Sequence, residues 1–244
     1  MHPPTRPPRF FGSSVVPAVF AAVTASAWLT LAGCSSVGPV AMAQSPPLSS
    51  AQIAELVASP DRSDADRSND LRRQPEQMLA FVGIRPVMIA LDTSAGGGYT
   101  TELLARAQKP GLGHIVAVVR PVETPLPPEV PASALDLATL MFNYHDLGHM
   151  GVDRAQMNRA VFAALKPGGV YVIADHAGRP GTGISEAGTL HRIEESFLRA
   201  EVEKAGFRWL ASGDFLRNPA DPRDQNTPNP PQPQDEFVLK FVKP

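Results

Sequence analysis

Between residues 86 and 244 the apolar positions follow two alternating rhythms. Short apolar runs rich in β-branched residues, Val87–Leu91, His114–Val119 and Val170–Ala174, read as strands. A further apolar run, Leu135–Met141, is broken only by Asp136 near its start and two small polar or alanine positions, and reads as another. Between them lie stretches with helical spacing: Thr100–Ala107, then Arg154–Leu165 with apolar residues at 157, 161, 164 and 165, then Leu190–Ala205, stopped by Gly206. Phe207–Leu210 and Phe237–Val242 are short terminal strands on either side of a proline-rich loop, 216–234. Ahead of the first strand, Ala51–Ala58 reads as a short amphipathic helix, and Pro75 sits at the first turn of a helix over Glu76–Val82. Asp61–Arg73 alternates acids and bases and reads as a solvated helix face with i,i+4 pairs. Strand and helix in turn predict an α/β fold, its sheet mostly parallel with an antiparallel C-terminal strand.

The N-terminus reads as a targeting segment rather than as fold. Arg6 and Arg9 form a charged start, Val15–Leu31 is uncharged and apolar, and the run closes on Leu31-Ala32-Gly33-Cys34. This is the three-part build of a signal peptide. Its last four residues resemble a bacterial lipobox, in which the cysteine is acylated and becomes the mature N-terminus. Cys34 is the only cysteine, so no internal disulfide forms. The expectation is an exported lipoprotein anchored through Cys34 to the periplasmic face of a bacterial membrane. A rival cut after Ala41-Met42-Ala43 would release a soluble periplasmic protein. The expected organisation is then a signal peptide over 1–34, a Ser/Pro/Ala tether over 35–50 and a single domain over 51–244.

Composition narrows the partners. The 244 residues carry a net charge of −2, so no basic field points to nucleic acid. Hydrophobic residues make up 43%, enough for an ordinary core. Prolines number 26, about twice the usual ~5% share, and they cluster at 3–8, 121–131 and 219–233 as irregular chain. Oligomeric state is left open by these features.

The chemistry begins at Leu91-Asp92-Thr93-Ser94-Ala95-Gly96-Gly97-Gly98-Tyr99, a glycine turn between a strand and a helix. Such a turn lets a ligand approach the backbone at a helix N-terminus. Together with Leu165-Lys166-Pro167-Gly168-Gly169, whose glycines are expected to close a helix in a left-handed conformation before the strand Val170–Ala174, it resembles the class I S-adenosylmethionine-dependent methyltransferases. Asn143-Tyr144-His145-Asp146, Asp175-His176-Ala177, Leu190-His191-Arg192-Ile193 and the ending Phe237–Pro244 resemble more narrowly a subset of predicted methyltransferases that are often exported. The resemblance spans roughly 75–243. It implies a Rossmann-like sheet, S-adenosylmethionine as cofactor, a small-molecule substrate, and Asp92, Ser94, Gly96, Gly97 and Gly98 as cofactor-binding residues.

The chain departs from that family at three points. Ser94 stands where the loop's first glycine would be, and serine lacks glycine's freedom at positive φ. Arg120 ends the second strand where the family places an acid for the ribose hydroxyls, and arginine offers only donors. Residues 120–134 are proline-rich and too few for a helix–strand–helix unit, so the sheet is expected to be truncated at that edge.

Four of the six histidines fall within 145–191. In a doubly wound sheet, sites form beyond the C-terminal ends of the strands. His145 follows the strand ending at Met141 and His176 the strand ending at Ala174, so His145, Asp146, His149, Asp175 and His176 are expected to converge on one rim. His145 and His149 share a face if helical, and the glycine-containing loop before His191 is able to fold back over it. Imidazoles and carboxylates so placed serve acid–base work, with His145, Asp146 and His176 as the catalytic group. Alternatively, His145, His149, His176 and His191 hold a divalent transition metal. The leading reading is a methyltransferase. The alternative is a cell-envelope lipoprotein on a degenerate methyltransferase fold that binds a metal or small ligand through this rim. Export, away from the cytosolic source of S-adenosylmethionine, favours the alternative.

Overall fold

The computed structural model describes residues 45–108, 113–117, 126, 130–226 and 234–244. The signal segment with Cys34, the rival cut at Ala43, most of the tether, and Arg120 with its flanking residues lie outside the described residues.

Six strands form one sheet in the order β2-β1-β3-β4-β6-β5. They are β1 (Ile89–Asp92), β2 (His114–Ala117), β3 (Leu135–Met141), β4 (Leu165–His176), β5 (Arg208–Gly213) and β6 (Glu236–Val242). β2, β1, β3 and β4 run parallel, whereas β6 is antiparallel to both β4 and β5. The expected mostly parallel sheet with an antiparallel C-terminal strand is therefore present. Among the described residues β2 forms the edge and nothing pairs beyond it.

Side chains alternate across the sheet with the period of two that a strand imposes. Leu140, Tyr171, Ile173, Phe237, Leu239 and Phe241 pack on one face against α6 (Arg154–Ala164) and α8 (Glu195–Lys204). Leu137, Val172, Ala174 and Val238 pack on the other against α1 (Ser50–Val57), α3 (Pro75–Val82) and α4 (Tyr99–Arg106). Both faces of the parallel strands are covered, which is why those strands read as continuous apolar runs.

Two local expectations are corrected. The helix expected over Leu190–Ala205 is two pieces, α7 (Ala187–Leu190) and α8, because His191 adopts a left-handed backbone and Ile193 pairs in parallel with Ala177. The Lys-Pro-Gly-Gly turn does not cap α6. Leu165 is already extended, and β4 starts there. Gly169 has a different reason to be glycine: an added Cβ would lie 2.9 Å from the Lys166 carbonyl and 3.1 Å from that of Leu135.

The acid–base stretch is no solvated face either. Within α2 (Asp64–Arg73) no residue is buried, so an apolar stripe does not dock this helix. Charge does. Arg62, with a fully buried side chain, forks onto Asp70 through bonds of 2.7 and 2.8 Å and also donates to the Val57 carbonyl. Asp70 in turn accepts from the Tyr99 hydroxyl at 2.7 Å. Arg72 and Arg73 lie over the Phe142 ring at 4.9 and 4.7 Å, and Arg73 also lies 5.1 Å from the Tyr99 ring. Guanidinium groups stack on aromatic faces and fork onto carboxylates in ways lysine cannot.

Removing Asp70 strands the buried Arg62 charge. Asp70→Ala is expected to lose about 3–5 kcal/mol in chemical denaturation, whereas Leu71→Ser next to it, at a residue 85% exposed, is expected to change stability by less than about 0.5 kcal/mol.

Candidate functional site

The C-terminal ends of β1, β3 and β4 carry the chemistry. After Asp92 the chain turns through Gly96 and Gly98, both at positive φ (52° and 92°), and Gly98 caps the N-terminus of α4. A Cβ built on Gly96, Gly97 or Gly98 would meet nothing within 4 Å, so open space lies over the loop backbone. Backbone conformation accounts for glycine at 96 and 98, and the open space over the loop leaves room for a ligand against the backbone. Asp92 is buried beneath this cradle, accepting from Thr101 Oγ1 at 2.6 Å and Thr139 Oγ1 at 3.1 Å. Burial pushes its carboxyl above the usual value, against those two hydrogen bonds. Ser94 is not among the residues at positive φ, so serine costs the backbone nothing there.

The rim is built on Asp175. This carboxylate, with no exposed surface, accepts from the His145 and His176 backbone N–H groups at 2.8 Å each and from His145 Nδ1 at 2.6 Å. The proton is placed on Nδ1 by this network, since a carboxylate only accepts. His145 Nε2 then faces Asp146 Oδ1 at 3.1 Å. Burial opposes a charge on His145, but the Asp175 and Asp146 carboxylates outweigh it and push its pKa up to about 10. Burial likewise works against the Asp146 charge, and His145, Asn143 and His191 outweigh it, holding that carboxyl well below the usual range.

Asp146 opens the one-turn helix α5 (Asp146–His149). Its Oδ1 lies 3.0 Å from His191 Nδ1 and 4.0 Å from His149 Nε2. The pairing of Ile193 with Ala177 carries His191 there, with its backbone at φ 52°. His145, Asp146, His149 and His191 thus surround one point. His176 stands beside it, its ring 5.5 Å from that of His145, but its Nδ1 turns to Glu236 Oε1 at 3.1 Å. Arg72 Nη1 shares that oxygen at 2.7 Å.

Cradle and rim are joined. Ser94 Oγ donates to Asn143 Oδ1 at 3.0 Å, and Asn143 Nδ2 donates to Asp146 Oδ2 at 3.1 Å. Beyond Arg72 and Glu236 opens a cleft of about 510 Å³, bounded also by Leu71, Gln74, Phe215 and Arg217. That is the size of a small-molecule site, and its walls are mostly polar, with Leu71, Phe215 and Leu216 as the apolar part.

Sequence reasoning had not singled out Arg72 and Glu236. The signal for Glu236 lay in strand register: β6 runs antiparallel to β4 and sets Glu236 directly opposite His176. The signal for Arg72 was weaker, because a charged helix reads the same whether it faces water or an aromatic ring.

A methyltransferase dependent on S-adenosylmethionine from Aquifex aeolicus has a similar structure, with a TM-score of 0.51 at 16% identity, over 81% of this chain and 100% of that one. Another from Mesorhizobium loti gives a TM-score of 0.46 at 15% identity, over 70% of this chain and 97% of that one. No family model and no curated protein matches the sequence. The likeness is one of fold: the Rossmann-like sheet of class I methyltransferases.

The state of Asp92 is open to test. Its pKa is raised in the folded chain, so as pH rises from the ordinary carboxyl value of 3.8 the unfolded chain ionises first and stability falls until the folded carboxyl ionises too. Asp92→Asn lacks this loss. Thermal melts across pH 4 to 7 should show the variant gaining on the parent as pH rises, and a constant difference would refute a raised pKa.

Proposed function

We propose that this protein transfers a methyl group from S-adenosylmethionine to a small-molecule nucleophile seated between the glycine cradle and the His/Asp rim. The observation that carries this reading is the hydrogen-bonded chain Ser94–Asn143–Asp146, which makes cradle and rim one site. The open backbone at Gly96–Gly98 fits the cofactor, since a Cβ there would occupy the space the ligand needs. Gly96, Gly97, Gly98 and Ser94 would hold it at the positive end of α4, with Asp92 beneath. When bound, the cofactor supplies a methyl group on a positively charged sulfur.

The chain's own residues do the rest. The cleft beside Arg72 and Glu236 adjoins this seat through Glu236, which lies against His176, and gives the acceptor room to enter. Glu236 Oε1 lies 3.1 Å from His176 Nδ1, and His176 Nε2 would take the acceptor's proton. His145, fixed by Asp175, positions Asp146 within the rim.

The test is calorimetric titration of the protein with S-adenosylmethionine and with its demethylated product. Gly97 has open space above it and no positive φ, so Gly97→Val is expected to change stability by less than about 1 kcal/mol while weakening cofactor binding at least about tenfold. Absence of binding to the parent protein would sink the proposal.

We also propose that Cys34 is acylated and tethers the domain to the periplasmic face of a bacterial membrane, on the support of the Leu31-Ala32-Gly33-Cys34 pattern alone. Labelled palmitate should enter the parent protein and not Cys34→Ser; label retained in the variant defeats the lipoprotein reading.

A further inference from the structure

We infer that His145, Asp146 and His191, with His149 close by, form a binding site for a zinc-type divalent transition ion. The inference stands on the rim alone and holds whether or not the cradle binds S-adenosylmethionine.

One ligand atom from each of His145, Asp146 and His191 falls within 4.8 Å of the others. Asp146 Oδ1 is 3.1 Å from His145 Nε2, 3.0 Å from His191 Nδ1 and 4.0 Å from His149 Nε2. In a tetrahedral site with bonds of about 2.0–2.1 Å, neighbouring donors lie roughly 3.3–3.4 Å apart. The observed separations bracket that edge, so small side-chain shifts suffice to admit an ion.

The far side of each inner ligand is already tied down. His145 Nδ1 is held by the buried Asp175 at 2.6 Å, which directs Nε2 at the common point. Asp146 Oδ2 is held by Asn143 Nδ2 at 3.1 Å, which directs Oδ1 at the same point. Carboxylate behind histidine and amide behind carboxylate are the outer contacts that orient metal ligands and fix their tautomers. The backbone adds to this. His191 is held in a left-handed conformation, at φ 52°, that a non-glycine residue adopts only at a cost, and this conformation aims its ring at Asp146.

The donor set selects the ion. Imidazole nitrogens and one carboxylate suit zinc, cobalt or nickel, whereas magnesium and calcium demand oxygen. Exposure is graded across the cluster. The His145 side chain is 3% exposed, but those of His191 and His149 are 41% and 42% exposed. An ion therefore enters from the solvent side. With three protein ligands it keeps a fourth position for His149, for water, or for an oxygen or nitrogen of a bound ligand, whose proton it would make easier to lose.

The test uses the full-length protein without a histidine tag, stripped with chelator and titrated with Zn²⁺ by calorimetry and with Co²⁺ by visible absorption. The expected result is one equivalent of Zn²⁺, a raised melting temperature, and the intense visible band of tetrahedral Co²⁺. His191→Ala, at a half-buried position, should weaken Zn²⁺ at least tenfold without unfolding the chain. Asp175→Asn should weaken it 10- to 100-fold through the outer contact. His114→Ala, at an exposed residue at the start of β2, should leave it unchanged. Absence of stoichiometric binding, or equal affinity in the parent and His191→Ala, overturns the inference. Because no step needs the methyl donor, its failure is separate from failure of the methyltransferase reading.

Discussion

The burial of Asp175 is the constraint on which the site rests. A carboxylate without exposed surface is costly unless its oxygens are satisfied, by several kcal/mol in real interiors. Here three N–H groups satisfy it, two from the backbone of His145 and His176 and one from the His145 ring. Two of the three come from the turn after β3 and one from β4 itself. The residue thus fastens the turn to the neighbouring strand, and the same contacts that make its burial tolerable fix the direction of the His145 ring. Geometry and stability at the rim are one requirement, so the position tolerates little change.

A second constraint comes from outside the sheet. Helix α2 has no apolar face, yet it is fixed against the site by the Arg62–Asp70 fork and by guanidinium groups over Phe142 and Tyr99. Phe142 itself sits at φ 61° directly after β3, a conformation that needs support from its surroundings. Its amide donates to the Ala174 carbonyl at 2.7 Å, and two arginines cover its ring. Helix α2 is accordingly a wall of the cleft beside Arg72 and Glu236. Arg72 connects the helix to Glu236 and, through it, to His176.

Much of this was legible in the residues, for identifiable reasons. Buried parallel strands leave continuous apolar runs, and β3 and β4 were placed by them. Sites at strand ends follow from topology, so the convergence of His145, Asp146, His149 and Asp175 could be anticipated from two strands being neighbours. Other features leave no local trace. The alternating charges of Asp61–Arg73 look alike whether solvated or forked onto buried partners, and only Tyr99 and Phe142, distant in sequence, decide between the two. The break between α7 and α8 is caused by the pairing of Ile193 with Ala177, again a non-local event. The pairing of His176 with Glu236 required the register of the last strand, which composition does not supply.

Ser94 shows how a departure from a pattern acquires a physical cause. Taken alone, serine at a glycine position of such a turn suggests a tighter or displaced but tolerable turn. In the folded chain the backbone there needs no left-handed conformation, so nothing is lost. The hydroxyl adds a donor that glycine lacks, and it is spent on Asn143 Oδ1. Asn143 then has one consistent orientation, oxygen toward the loop and amide toward Asp146 Oδ2, because reversing it would set two acceptors against each other at Asp146. That orientation frees Asp146 Oδ1 to face His145, His149 and His191. The substitution therefore couples the glycine cradle to the histidine cluster, and a glycine at 94 would leave the two halves of the site unconnected.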